Sequence, residues 1–192
     1  TSRADEEAAG TIGWWIVDED GQVYLISNNH VWAKENLGQQ GDSLVQPGIL
    51  DGGDPEKDVF AELYDFIPLD FTNPNKVDLA VARAIDLSNV FMAIMKVGGV
   101  VGARDPQLNE EVSKVGRSTG LTRGIIADDS ATLYIEYSSG AATFQDVFIV
   151  QSDNVIVQPG DSGSPVLSQK HEFLGLLFAG NDEGTVFVGC KQ

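Results

Sequence analysis

The sequence predicts an all-β fold, and three observations carry that expectation. Apolar and polar residues alternate in short runs, the pattern of strands with one buried face. Turn residues separate the runs, with 21 Gly and 7 Pro among 192 residues. Helix-length amphipathic stretches are scarce. Short strands at this spacing indicate a sandwich or barrel, and the length suits one compact unit or two small, closely packed subdomains.

Taken in order, residues 1–10 are charged and small and read as a flexible arm. Residues 11–17 and 22–27 form two alternating runs around Asp20-Gly21, a hairpin signal. Further strands are expected at 43–46, 59–66 and 77–84. Between them lies the acidic loop 51–58, whose carboxylates could hold calcium; the spacing is not that of an EF-hand, and a solvated loop is the favoured reading. Residues 85–110 lose the alternation and gain Gly98-Gly99 and Asp105-Pro106, so they read as a connection between two halves. Within it, residues 91–95 are expected to form a helical turn packed on the core. Strand signals resume at 111–116, 124–127, 132–137, 146–151, 165–168, 173–178 and 185–188.

One stretch carries chemistry: Gln158-Pro159-Gly160-Asp161-Ser162-Gly163-Ser164-Pro165. A serine hydroxyl is a weak nucleophile unless a base takes its proton and amide donors receive the oxyanion it creates. A tight Gly-Asp-Ser-Gly turn can offer the Gly160 and Ser162 amides as those donors. By itself Pro-Gly-Asp-Ser-Gly is only a turn between two apolar runs. Two other places supply the missing partners. His30 ends an alternating strand in Ser27-Asn28-Asn29-His30-Val31-Trp32, and Asp78 precedes the apolar run Leu79-Ala80-Val81. Asp65, Asp70 and Asp86 are nearby rivals for Asp78, which is preferred because Leu79 and Val81 would seat it against the core. The other histidine, His171, reads as the exposed tip of a hairpin.

The order His, Asp, Ser, with the dress of each motif, resembles the chymotrypsin-like (trypsin-fold) serine proteases across most of the chain. The resemblance implies two six-stranded antiparallel β-barrels with a cleft between them, residues 1–90 forming the first and 91–192 the second. Val115-Gly116-Arg117-Ser118-Thr119-Gly120 is similar to the segment that opens the second barrel in relatives. It also implies a serine endopeptidase, with Ser162 as nucleophile, His30 as general base and then acid, and Asp78 orienting the imidazole. Gly160 and Ser162 would form the oxyanion hole, with Asp161 turned inward to shape the loop. An ungapped count assigns Ile156 to the floor of the primary substrate pocket and Phe178, Ala179 and Gly180 to its wall. An apolar floor implies cleavage after Leu, Met, Val or Phe rather than Lys or Arg, whereas a short insertion relative to relatives would bring the Asp153 carboxylate there instead. No cofactor and no metal are implied.

Other features narrow the field. Twelve basic against 29 acidic residues, a formal net charge of −17, argue against nucleic acid or an anionic membrane as partner; a polypeptide substrate is what the resemblance implies. One cysteine, Cys190, rules out an internal disulfide, unlike animal members of the resembled family, and two histidines make a histidine-rich zinc site hard to build. The first residue is Thr rather than Met, as in a processed or trimmed chain. The setting leans cytoplasmic, with a mature secreted form as the alternative. Ser164 stands where relatives more often have glycine, and no C-terminal helix follows the last strand signal. The His-Asp-Ser order and the β-only pattern exclude an α/β-hydrolase esterase; a catalytically idle protease-fold binding or scaffolding module is the rival reading.

Overall fold

A computed structural model describes residues 1–5 and 9–191. Its strands, in chain order, are β1 (Ser2–Arg3), β2 (Trp14–Val17), β3 (Val23–Ser27), β4 (Ser43–Val45), β5 (Val59–Phe66), β6 (Ala80–Ala84), β7 (Gly102–Ala103), β8 (Glu111–Gly116), β9 (Gly120–Tyr137), β10 (Gly140–Gln151), β11 (Pro165–Ser168), β12 (Glu172–Gly180) and β13 (Val186–Lys191). One helical turn, α1 (Asn29–Trp32), follows β3. No helix among the described residues is long and apolar enough to cross a membrane.

The first six strands form one antiparallel sheet in the order β1-β4-β5-β6-β3-β2. Beside its β1 edge, Gly10 N donates to Thr1 O at 2.8 Å and Thr1 N donates to Gly10 O at 2.9 Å. The expected flexible arm is therefore corrected at its start. Thr1, Ser2 and Arg3 are buried, and Arg3 is held by Asp5 and Asp42 at 2.9 and 2.6 Å. Residues 6–8 of that arm lie outside the described residues.

The second sheet runs β11-β8-β9-β10-β13-β12-β7, and a further β11–β12 pairing closes six of these strands into a ring. β7 joins from outside, parallel to β12. Two expected strands, 124–127 and 132–137, are halves of the single strand β9. Where the two halves join, β10 pairs with Ile126, Asp128 and Ala131 but not with the intervening residues, and the register shifts in bulges between Gln145 and Val150. The segment 91–95 also differs from expectation. It forms no helical turn, Phe91, Met92 and Met95 are exposed, and only Ile94 packs inward.

Each sheet encloses its own apolar cluster, with Leu25, Trp32, Leu44 and Leu63 inside the first and Ile126, Phe148, Leu174 and Phe187 inside the second. A third cluster joins them. Ile26, Phe144, Leu176, Phe178 and Cys190 pack there with Trp14, Val77, Leu79 and Tyr137 from both sheets. Each fully buried side chain of this size contributes about 1.5–3 kcal/mol, so Phe144 and the residues packed on it hold the two sheets together. The acidic loop has other commitments: Asp51 pairs with Arg117 at 2.5 Å and Asp54 with Lys57 at 2.5 Å. No cluster of metal-binding side chains occurs among the described residues.

Candidate active site

The end of β3 and the turn after it are tied down by their own asparagines. Asn28 Nδ2 donates to Asp78 O at 2.8 Å, and Asn29 Nδ2 to Ile67 O at 2.8 Å. With Val31 and Trp32 buried behind it, His30 faces outward with its side chain 20 % exposed. Asp78, fully buried just before β6, meets it twice. The His30 backbone N–H donates to Oδ1 at 3.2 Å, and ring Nδ1 lies 2.5 Å from Oδ2. A carboxylate can only accept, so Nδ1 carries the proton and Nε2 is left as the acceptor. Burial works to lower the His30 pKa, but the charge and hydrogen bond of Asp78, helped by Glu35, outweigh it and leave the value raised.

The rivals of Asp78 are engaged elsewhere. Asp70 accepts from Thr72 and Asn73, Asp86 from Ser88 N, and Asp65 from Phe66 N. His171 sits in a left-handed turn between β11 and β12.

The Ser162 loop is shaped by an acid turned inward. Asp161 Oδ1 accepts from Ser118 N and Thr119 N at 2.8 and 3.1 Å. Its Oδ2 accepts from Thr119 Oγ1, Gln158 N and Lys114 Nζ at 2.7, 3.0 and 3.0 Å. Burial acts to raise the Asp161 pKa; Thr119 and Lys114 reverse that and hold it below the usual carboxylate range. Only glycine fits at position 116, where a Cβ would lie 2.3 Å from Asp161 Oδ1. Sequence reasoning missed Lys114, although a signal existed: it shares the inward face of β8 with Val112 and Gly116.

Two peptide planes are oriented by the same loop. Pro159 O accepts from Ser118 Oγ at 2.6 Å, and Asp161 O accepts from Ser164 N and Oγ at 3.0 and 2.5 Å. In a trans peptide the N–H points opposite its C=O, so the Gly160 and Ser162 amides face away from those partners. Among the described residues neither amide has an acceptor, nor has the Ser162 hydroxyl a partner. Gly160 takes φ of +99°, a region glycine enters freely.

This loop docks on the histidine turn. Thr11 N donates to Ser162 O at 2.7 Å, and a Cβ at Gly163 would lie 2.3 Å from Ser27 Oγ. A Cβ at Gly10 would meet both Val31 and Ser162 O. Ser162 thus lies against the segment that carries His30, itself half-buried.

The residues expected to line a substrate pocket divide. Ala179 and Gly180 remain accessible. Ile156, 1 % exposed, packs in the second sheet's interior with Val112 and Ile126 rather than on an open floor. Phe178 is buried against Phe144, ring centres 4.5 Å apart. Val157 takes up the facing position instead, its Cγ1 2.7 Å from where a Cβ on Gly180 would stand. Nothing local in the sequence marks Val157 for that position.

No family model matches the chain. The serine protease Do-like HtrA of Bacillus subtilis (strain 168) is 26% identical over 181 residues, covering 91% of this chain and 34% of that protein. The chain therefore spans about a third of that curated relative. Among solved structures, Thermobifida fusca protease A superposes with a TM-score of 0.68 at 16% identity, covering 97% of this chain and 86% of that one. Nocardiopsis protease gives 0.64 at 17% identity, with 96% and 91% covered. Cellulomonas bogoriensis chymotrypsin gives 0.61 at 18%, with 94% and 82% covered. The fold is that of the chymotrypsin-like proteases.

Proposed function

We propose that this chymotrypsin-like chain is a serine endopeptidase working through an acyl-enzyme. The observation that carries the reading is the hydrogen bond from His30 to the buried Asp78 beside a loop whose Gly160 and Ser162 amides have no acceptor among the described residues. Ser162 Oγ attacks the scissile carbonyl and forms the C–O bond while its proton passes to His30 Nε2. The carbonyl electrons move onto oxygen, where the two amides would receive the charge. His30 then returns the proton to the leaving amine, and water repeats the sequence to release the acid. Asp78 keeps Nδ1 protonated and stabilises the imidazolium. Ser162 Oγ has no hydrogen-bond partner among the described residues, and a nucleophile–base contact of this kind tightens when substrate binds.

Beside the accessible Ala179 and Gly180 stands the hydrocarbon of Val157, and this supports cleavage after an apolar residue in preference to Lys or Arg. Val157 approaching Gly180 narrows the opening, which favours Val or Ala over the larger Phe. Fluorophosphonate labelling of the wild type and Ser162→Ala tests the reading. Labelling confined to the wild type supports it; an unlabelled wild type leaves the binding module.

A further inference from the structure

The β9–β10 hairpin belongs to the second sheet, yet its tip reaches the first. Asn75, in the connection before β6, pairs with it through Asn75 N to Thr143 O at 2.8 Å and Gln145 N to Asn75 O at 2.9 Å. At the tip, Ser138 N and Ser139 N donate to the two carboxylate oxygens of Glu35, at 3.0 and 2.7 Å. Glu35 lies five residues beyond His30, in the left-handed run Lys34, Glu35 and Asn36. The segment that presents the histidine therefore also grips the hairpin.

The last residue of β9 uses this attachment. Tyr137 Oη donates to Asp78 Oδ2 at 3.0 Å, the same oxygen that accepts from His30 Nδ1. Its ring is wedged between Phe71, edge-on at 6.3 Å, and Phe144 at 6.2 Å, with the His30 ring 5.7 Å away. Burial first, and the Asp78 charge second, push the hydroxyl far above its ordinary pKa, so it stays protonated and can only donate to the carboxylate.

We propose that Tyr137 is a positioning residue, brought from the second barrel to hold the Asp78 carboxylate in the orientation that His30 requires. Oδ1 is fixed by the His30 backbone amide, and Oδ2 by the phenol. With both oxygens engaged, the carboxylate cannot rotate away from Nδ1. The phenol also draws negative charge from the oxygen facing the imidazole, tempering how strongly Asp78 favours the protonated ring. The two barrels must therefore be docked for the pair to have its working geometry. The catalytic meaning of this rests on the protease reading, while the hydrogen-bond coupling can be measured without it.

The other ionisable groups facing this cluster are Glu35, which also favours protonated His30, and the Cys190 thiol from β13 beside Asp78. Burial pushes Cys190 up to about 12, so it stays neutral through the range of interest.

The decisive measurement is an NMR titration of the two imidazoles, with His171→Gln to assign them. In Tyr137→Phe, the bare carboxylate should raise the His30 midpoint by about half a unit to one unit. In the folded enzyme kcat should fall roughly tenfold with KM little changed, since the lost contact serves the reacting groups and not substrate binding. Tyr137→3-fluorotyrosine keeps the shape but donates more strongly, and should move the His30 midpoint down. Opposite shifts in the two variants are not expected of a side chain that only packs. A folded Tyr137→Phe with an unchanged His30 midpoint overturns the proposal. If Tyr137→Phe fails to fold, the fluorotyrosine variant decides: a downward shift supports the proposal and no shift sinks it. A wild type unlabelled by fluorophosphonate removes the protease reading but leaves the titration to judge the coupling.

Discussion

Lys114 Nζ lies 3.0 Å from Asp161 Oδ2, and neither side chain is exposed to solvent. Breaking such a pair by removing one partner leaves an uncompensated buried charge, at a cost of about 3–5 kcal/mol. Lys114→Met should therefore lower the melting temperature sharply. Activity should fall further than stability, because Asp161 also positions the amides of Ser118, Thr119 and Gln158 around the Ser162 loop. Thermal denaturation and peptidase assays on the same samples check this, and a melting temperature within a degree or two of wild type would contradict it.

The pH dependence follows from His30. Its ordinary value of 6.5 would place the acid limb of activity there, but the Asp78 and Glu35 charges raise it. Activity should therefore rise through a midpoint above 6.5 as the ring loses its proton and becomes an available base. The sign for stability is opposite. A folded-state value above the unfolded one means the protonated ring adds stability that is complete below about 6.5 and lost as pH climbs through the raised value. A kcat/KM profile flat from pH 5 to 8, with chemistry rate-limiting, would count against His30 as the base.

Ser162→Ala and His30→Ala should each lower amide hydrolysis on the order of 10⁶-fold while the fold persists, and the double variant should be little worse than either. Near-additive losses would mean that the two residues do not act as a unit.

The narrow opening beside Gly180 yields a specificity prediction. Val157→Gly removes the side chain that approaches it and should shift cleavage towards Phe and Leu, by roughly 10- to 100-fold in relative kcat/KM. A peptide-library profile unchanged by this substitution would move the pocket elsewhere.

Where an element depends on neighbours in sequence, it was legible. The alternation of 59–66 and 111–116 matches β5 and β8 residue for residue, because a strand's inward and outward faces are written into every second side chain. The Gly-Asp-Ser-Gly and Asn-Asn-His motifs are legible as motifs, but their shapes rest on distant partners: Asp161 on Ser118 and Thr119, Asn28 on Asp78 O and Asn29 on Ile67 O. The ungapped count put Ile156 at a pocket floor, and the structure packs it in the second sheet's interior. Spacing along a chain does not say which way an irregular segment turns its side chains, and Val157 faces Gly180 instead.

By itself, then, the sequence determined an all-β chain, most of its strands and the three motifs from which a hydrolytic site can be built. Tertiary structure decided the partners. Lys114 and Asp161 are 47 residues apart and Tyr137 and Asp78 are 59 apart, while Thr1 joins Gly10 just ahead of β1, which pairs with the distant β4. Each contact depends on how two barrels close and dock, a balance of burial and long-range pairing spread over the whole chain. A buried lysine is tolerable only when its carboxylate is in place, and a strand-end tyrosine finds an aspartate only when its hairpin crosses the seam. No local pattern records either condition, since the free energy that enforces it comes from residues far away in the sequence.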